Sequence, residues 1–202
     1  FNPNPNLESN QWLTSYNFLY SSGNNPDIMF IKGRVMMIFL GVFLGLAVFF
    51  ISKSIFGYLG GIVSLFLYAF NPTILANGAL VTSDISATLG FILSGWMLKR
   101  MFNRISFVSI FLYGLALSLL FLSKMSAPII VPVILILMVF RIREMNSLEV
   151  KIYKKFFFIE EQSKQLFVLL SVLCLSFVIV YFAIWASFGF RYAMSPPEAG
   201  IE

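Results

Sequence analysis

From Val35 to Ile51 the chain carries no charged or polar side chain, and that single run excludes most folds. As a helix rising about 1.5 Å per residue, it spans with its flanks the roughly 30 Å hydrocarbon core of a bilayer. The run is not isolated, because charge-free windows of about 18 residues recur down the chain. With 59% hydrophobic and 11% charged residues, there is too little polar surface to cover helices in water. The composition is that of an integral membrane protein.

Other function classes fall away on composition. The chain has no histidine and one cysteine, which removes the usual zinc, haem and iron–sulfur ligand sets and any disulfide within the chain. A hard divalent cation held by carboxylates stays open as a cofactor. Cys174, inside an apolar run, reads as a small buried hydrophobe. The net charge of +5 is too small and scattered for a nucleic-acid partner.

The expected fold is all-α, a polytopic transmembrane helical bundle of about six spans. Residues 1–31, with seven asparagines and three prolines, read as an outer loop. Trp12, Leu13, Tyr16, Leu19 and Tyr20 recur there at helical spacing, which predicts an amphipathic helix lying in the interface. The bundle is expected over 32–190. Its spans run Val35–Ile51, Tyr58 to about Val81 after a reversal at Phe56-Gly57, Ile85–Met101, Ser106–Ser123, Pro128–Phe140 and Gln165–Phe188. Residues 191–202, opened by Arg191 and rich in proline, start a further outer loop. A chain beginning with Phe rather than Met reads as an internal piece of a longer one.

Alternating these spans gathers Lys53, Lys99, Arg100, Arg104, Arg141, Arg143, Lys151, Lys154, Lys155 and Lys164 on one side, ten of the fourteen Lys and Arg residues. By the positive-inside rule that side is cytoplasmic, its charge serving topology. The other side, carrying Asp84 and Lys124, is then the outer face of a multi-pass protein, periplasmic or extracellular in a bacterium and lumenal in a eukaryote, with a bacterial or archaeal plasma membrane as the expected setting.

Chemistry is sought on that outer side. In Asn71–Asp84 (NPTILANGALVTSD) a helix breaker, several polar side chains and one carboxylate lie between two apolar runs. Asn71 and Pro72 predict a break and restart of the span, Asn71 as cap and Pro72 in the first turn, and broken membrane helices are tolerated where they line a cavity. Asp84 can cap the next helix or favour its positive end, and the same placement suits a general base or metal ligand. Lys124 either snorkels to the surface or holds an anionic lipid phosphate. Lys32 and Arg34 present the same choice, Arg34 having the better geometry for phosphate.

Gly33-Arg34-Val35, Phe56-Gly57, the whole of Asn71–Asp84, Gly114-Leu115-Ala116-Leu117 and Ser123-Lys124-Met125-Ser126-Ala127-Pro128 together resemble the GT-C membrane glycosyltransferases. The likeness is to family 39, the protein mannosyltransferase and aminoarabinose transferase group, and covers residues 30–140. It implies transfer of a sugar from a polyprenyl-phosphate donor to a protein, lipid or glycan acceptor on the outer face. It also implies Asp84 as the second acidic residue of the site, Arg34 and Lys124 as lipid-phosphate ligands, and a principal catalytic acid in an earlier outer loop. Glu8 and Asp27 do not match that acid, so it is expected upstream of residue 1 and the fragment alone is expected to be inactive. A transporter or flippase core and a noncatalytic membrane subunit are the competing readings.

Overall fold

The computed structural model of the chain describes residues 13–144, 147–152 and 155–190. Glu8, Trp12, Lys154, Arg191 and the 191–202 segment lie outside these residues. The predicted amphipathic piece is helical from Leu13 and passes into a π-helical turn at Asn17–Ser21. Its Leu13, Tyr16, Phe18 and Tyr20 side chains are exposed.

Helix α1 (Pro26–Ala69) starts at Asn25, whose side chain accepts the Ile28 N–H at 3.2 Å, with Pro26 in the first turn. Asp27, expected in a loop, is thus already helical. Gly57 interrupts α1 at φ 77° and ψ −175°, a conformation essentially confined to glycine. The chain doubles back there into two antiparallel arms, residues 26–56 and 58–69. The Tyr68 hydroxyl of the second arm donates to the Gly41 carbonyl of the first at 2.7 Å. Gly61 lies against Phe49 and Lys53, and the Phe49 and Tyr58 rings meet edge to face at 6.1 Å. The reversal read at Phe56-Gly57 is therefore a hairpin in which small residues let the arms touch. At the far end, Asn71 accepts the N–H groups of Thr73 (2.9 Å) and Ile74 (3.2 Å), with Pro72 opening α2 (Pro72–Asn77). That is the restart the sequence predicts.

Four helices follow: α3 (Asp84–Asn103), α4 (Phe107–Ser123), α5 (Ile130–Arg143) and α6 (Gln162–Ser187). Glycines fix how they pack. A Cβ on Gly90 of α3 would sit 2.8 Å from the Leu120 Cα of α4, and one on Gly114 of α4 would sit 2.9 Å from Ile179 of α6. Small residues at these crossings let the helix backbones approach to van der Waals contact, as they do where membrane helices pack. Helix α4 is therefore central, with Tyr113, Leu117 and Leu120 fully buried. Ile134 and Met138 of α5 and Leu169, Leu173 and Val180 of α6 complete this core. A smaller core joins Met37 and Leu44 of α1 to Ile85 and Leu89 of α3.

The chain is mostly helical, as expected, and adds a small mixed sheet where the sequence suggested only a charged loop. Strands β1 (Arg104–Ser106), β2 (Leu148–Ile152) and β3 (Lys155–Ile159) lie in that order, β1 parallel to β2 and β2 antiparallel to β3. Burial of Ile105 and Leu148 anchors the sheet under the bundle. Arg104 Nε contacts Glu149 Oε1 at 2.9 Å across the parallel pair, and its guanidinium lies 4.9 Å over the Phe156 ring. Buried Arg141 donates from Nε to the Phe102 carbonyl (3.0 Å) and from Nη2 to the Ser147 carbonyl (3.2 Å), tying α5 to α3 and to the start of β2. This cation, assigned to topology from sequence, also satisfies backbone acceptors at a helix end.

Helices α1 and α6 are long and apolar enough to cross a membrane, and α4 is apolar but shorter. Only 22% and 28% of the most apolar windows of α1 and α6 are buried within the protein, so most of that apolar surface faces outward. The other expected spans fall short by this measure for physical reasons. The second arm of α1 covers only roughly 18 Å before Asn71 breaks it. Helix α3 ends in Lys99 and Arg100, and α5 has 14 residues. Cys174 is exposed on α6 rather than buried, because the neighbouring Leu173 and Ser176 take the face toward α4.

The close approach at Gly90 gives a test. Gly90→Ala should destabilise the detergent-solubilised protein by about 1–3 kcal/mol through overpacking against backbone. Gly95→Ala on the same helix, where nothing lies within 4 Å of the new methyl group, should be neutral or slightly stabilising. Thermal unfolding followed by helical circular dichroism compares the two.

Candidate functional site

The antiparallel register of α3 and α4 sets the start of one beside the end of the other. Asp84 is the first residue of α3, just beyond Ser83, which takes the cap position without a side-chain hydrogen bond. Lys124 ends α4 in an extended conformation, φ −154° and ψ 140°, with its N–H still reaching the Leu120 carbonyl. Its Nζ donates to Asp84 Oδ1 at 2.7 Å. Two residues singled out separately in the sequence thus form one ion pair, with both side chains about half exposed.

The loop between α2 and α3 frames the pair. It is tightened by Leu80 N–H donating to the Asn77 carbonyl (3.1 Å) and Thr82 N–H to the Leu80 carbonyl (2.8 Å). Val81 packs on Gly33, where an added Cβ would stand 2.9 Å from a valine methyl. That contact brings the first arm of α1, and with it Arg34, to the same end of the molecule as Asp84. Arg34 is exposed and makes no ion pair among the described residues, so it joins the neighbourhood and not the pair. Lys32, two residues nearer the start of α1, is likewise exposed.

The electrostatics favour one chemical role over another. The Asp84 carboxyl is held below its ordinary pKa, first by the hydrogen bond from Lys124 and the charge behind it, with Thr82 adding a weaker hydrogen bond; partial desolvation opposes them. A carboxylate stabilised in its charged form is a weak proton acceptor and a good electrostatic or positioning group. Lys124 has three N–H donors, so engaging Asp84 leaves two for an anionic oxygen. Among the described residues no three His, Cys, Asp or Glu side chains gather to hold a metal ion; Asp84 alone would offer one oxygen ligand.

An apolar cleft of about 420 Å³ runs between the arms of α1 and α2, lined by Gly41, Gly45, Leu65, Tyr68, Ile74 and Gly78. No single residue marks it in the sequence. Its signal is the glycine spacing at 41 and 45, which thins one wall. A cavity of about 880 Å³ lies at the opposite end of the bundle and includes neither Asp84, Lys124 nor Arg34.

The ion pair has a pH signature. A lowered carboxylate pKa contributes stability that is complete above the ordinary carboxylate pKa and lost as pH falls through the lowered value. The difference in melting temperature between the parent protein and Asp84→Asn should be present at neutral pH and close only below the ordinary carboxylate range. Melting curves across an acid titration read it out, and a difference unchanged by acid would show that the pair contributes nothing. No family model, curated protein or solved structure matches the chain, so the site stands on its own geometry.

Proposed function

We propose that the chain is the membrane-embedded part of a glycosyltransferase that moves a sugar from a polyprenyl-phosphate donor to an acceptor at the outer face of the membrane. The observation that carries the reading is the Asp84–Lys124 pair, formed from residues forty positions apart at the end of the bundle where the Asn71–Ser83 loop folds. A departing lipid phosphate needs a cation at the membrane boundary, and Lys124 retains donors for it. An acceptor hydroxyl needs orientation, which the Asp84 carboxylate supplies as the second acidic residue of the site. Arg34 is the further phosphate-side cation. The apolar cleft between α1 and α2 is of a size and lining that suit an isoprenoid tail.

Six crossing segments, with the arms of α1 counted separately and α2 extending the second, complete the proposed membrane placement. It is supported by the outward-facing apolar surface and by the absence of charge in 35–52, 54–83, 85–98, 105–123, 125–140 and 165–190. A transporter core is disfavoured by the same pattern, because no charged side chain falls within these stretches to form a mid-membrane ion path.

The test is transfer of labelled sugar from a polyprenyl-phosphate donor by the full-length protein in proteoliposomes. Loss of acceptor positioning in Asp84→Asn should lower the rate on the order of 100-fold, and Lys124→Met should lower it comparably. Undiminished transfer by both variants would remove the pair from the site.

A further inference from the structure

The cavity of about 880 Å³ lies where the last turns of α3, strand β1, the first turn of α4 and strand β2 meet. Lys99, Arg100, Arg104 and Lys151 line it, with the Asn103 amide as a further donor. Among the described residues, Arg104 alone of the four cations is paired with a carboxylate, that of Glu149. Lys99 and Arg100 are exposed and make no ion pair among the described residues. Lys151 is held over the Phe156 ring at 5.5 Å. The first turn of α4 points the positive end of a 17-residue helix at the same space.

The rest of the lining is apolar. Trp96, Phe107 and Val108 complete the walls, and Phe107 and Val108 are 80% and 61% exposed. A soluble anion would gain nothing from such a rim. A molecule with a phosphate at one end and hydrocarbon at the other would use both parts, since tryptophan is enriched at the depth where headgroup meets acyl chain and the apolar Phe107 and Val108 side chains suit the hydrocarbon just beyond it. Basic pockets between helices on the positive side of a membrane protein are suited to anionic lipid headgroups.

We propose that this cavity is a binding site for the phosphate headgroup of an anionic phospholipid from the leaflet on the basic side. Lys99, Arg100 and Lys151 hold the phosphate, Arg104 is fixed by Glu149 as part of the wall, and Trp96, Phe107 and Val108 lie along the acyl chains. The site is separate from the Asp84 end and does not depend on sugar transfer. It rests only on the chain residing in a bilayer.

Trp96 provides a local reporter. A variant with Trp12→Phe and Trp185→Phe is reconstituted in vesicles of phosphatidylcholine containing a minor fraction of brominated phosphatidylglycerol or, in a parallel sample, brominated phosphatidylcholine. Flotation of the vesicles first checks insertion; a chain that fails to float overturns the membrane placement and this proposal with it. In floated samples the anionic quencher should be preferred at Trp96. Lys99→Gln, Arg100→Gln and Lys151→Gln should each lower its apparent affinity roughly fivefold. Lys155→Gln and Lys164→Gln, which remove the same charge outside the cavity, should leave it unchanged, and Lys99→Arg should preserve it. Equal quenching by both lipids, or equal loss from the control substitutions, would overturn the proposal. Displacement of the brominated lipid by millimolar inorganic phosphate at constant ionic strength would also overturn it, by assigning the cavity to a soluble anion.

Discussion

The approach of α3 to α4 at Gly90 governs both ends of this molecule. With no side chain at that position, the Leu120 backbone comes close enough to fix the helices in one antiparallel register. Six residues before Gly90 lies Asp84, and four after Leu120 lies Lys124, so the ion pair at one end is a geometric consequence of the same contact. In the other direction the register carries Asn103 and Phe107 to a common level, where three extended residues suffice to turn the chain. A helix pair held by a small-residue contact has few alternative alignments, because dispersion is lost steeply with separation.

The two ends differ in how they are closed. At the Asp84 end the connections are short and the loops satisfy their own backbone groups, as Asn71 does for α2. At the basic end the backbone is closed by distant partners. Arg141 reaches the Phe102 carbonyl, 39 positions away, and β1 pairs with β2. Around the cavity the positive charge is held apart by the Glu149 carboxylate and by the Phe156 ring, which takes both Arg104 and Lys151 over its face. Cation–π contacts of this kind orient a cation without neutralising it, so the cavity keeps its charge.

Local signals were legible in the sequence and long-range ones were not. The Asn71-Pro72 restart, the reversal at Gly57 and the helix ends near Asn103, Ser123 and Arg143 follow from caps, glycine and charge placement within a few residues. The sheet does not, because β1 has only three residues and its partner comes more than forty positions later. Phe156-Phe157-Phe158 beside Val150 and Ile152 was the available hint of extended structure in a segment otherwise marked by charge. The pairing of Asp84 with Lys124 needed the helix register, to which Gly90 was the only sequence clue. Cys174 could not be placed from hydropathy, since both faces of α6 are apolar and only packing tells which one meets α4.

The order of the sheet also bears on how the protein is made. Strand β1 is complete as soon as α3 has turned into α4, but its neighbour β2 is synthesised only after α4 has run to the far end and α5 has come back. Until then β1 lacks its β2 partner, and the Phe102 carbonyl lacks the hydrogen bond it receives from Arg141 at the end of α5. Long-range pairing of this kind closes late. The basic end is therefore the last part of the fold to close, since its strands and its buried arginine meet their partners once α5 has returned to that end.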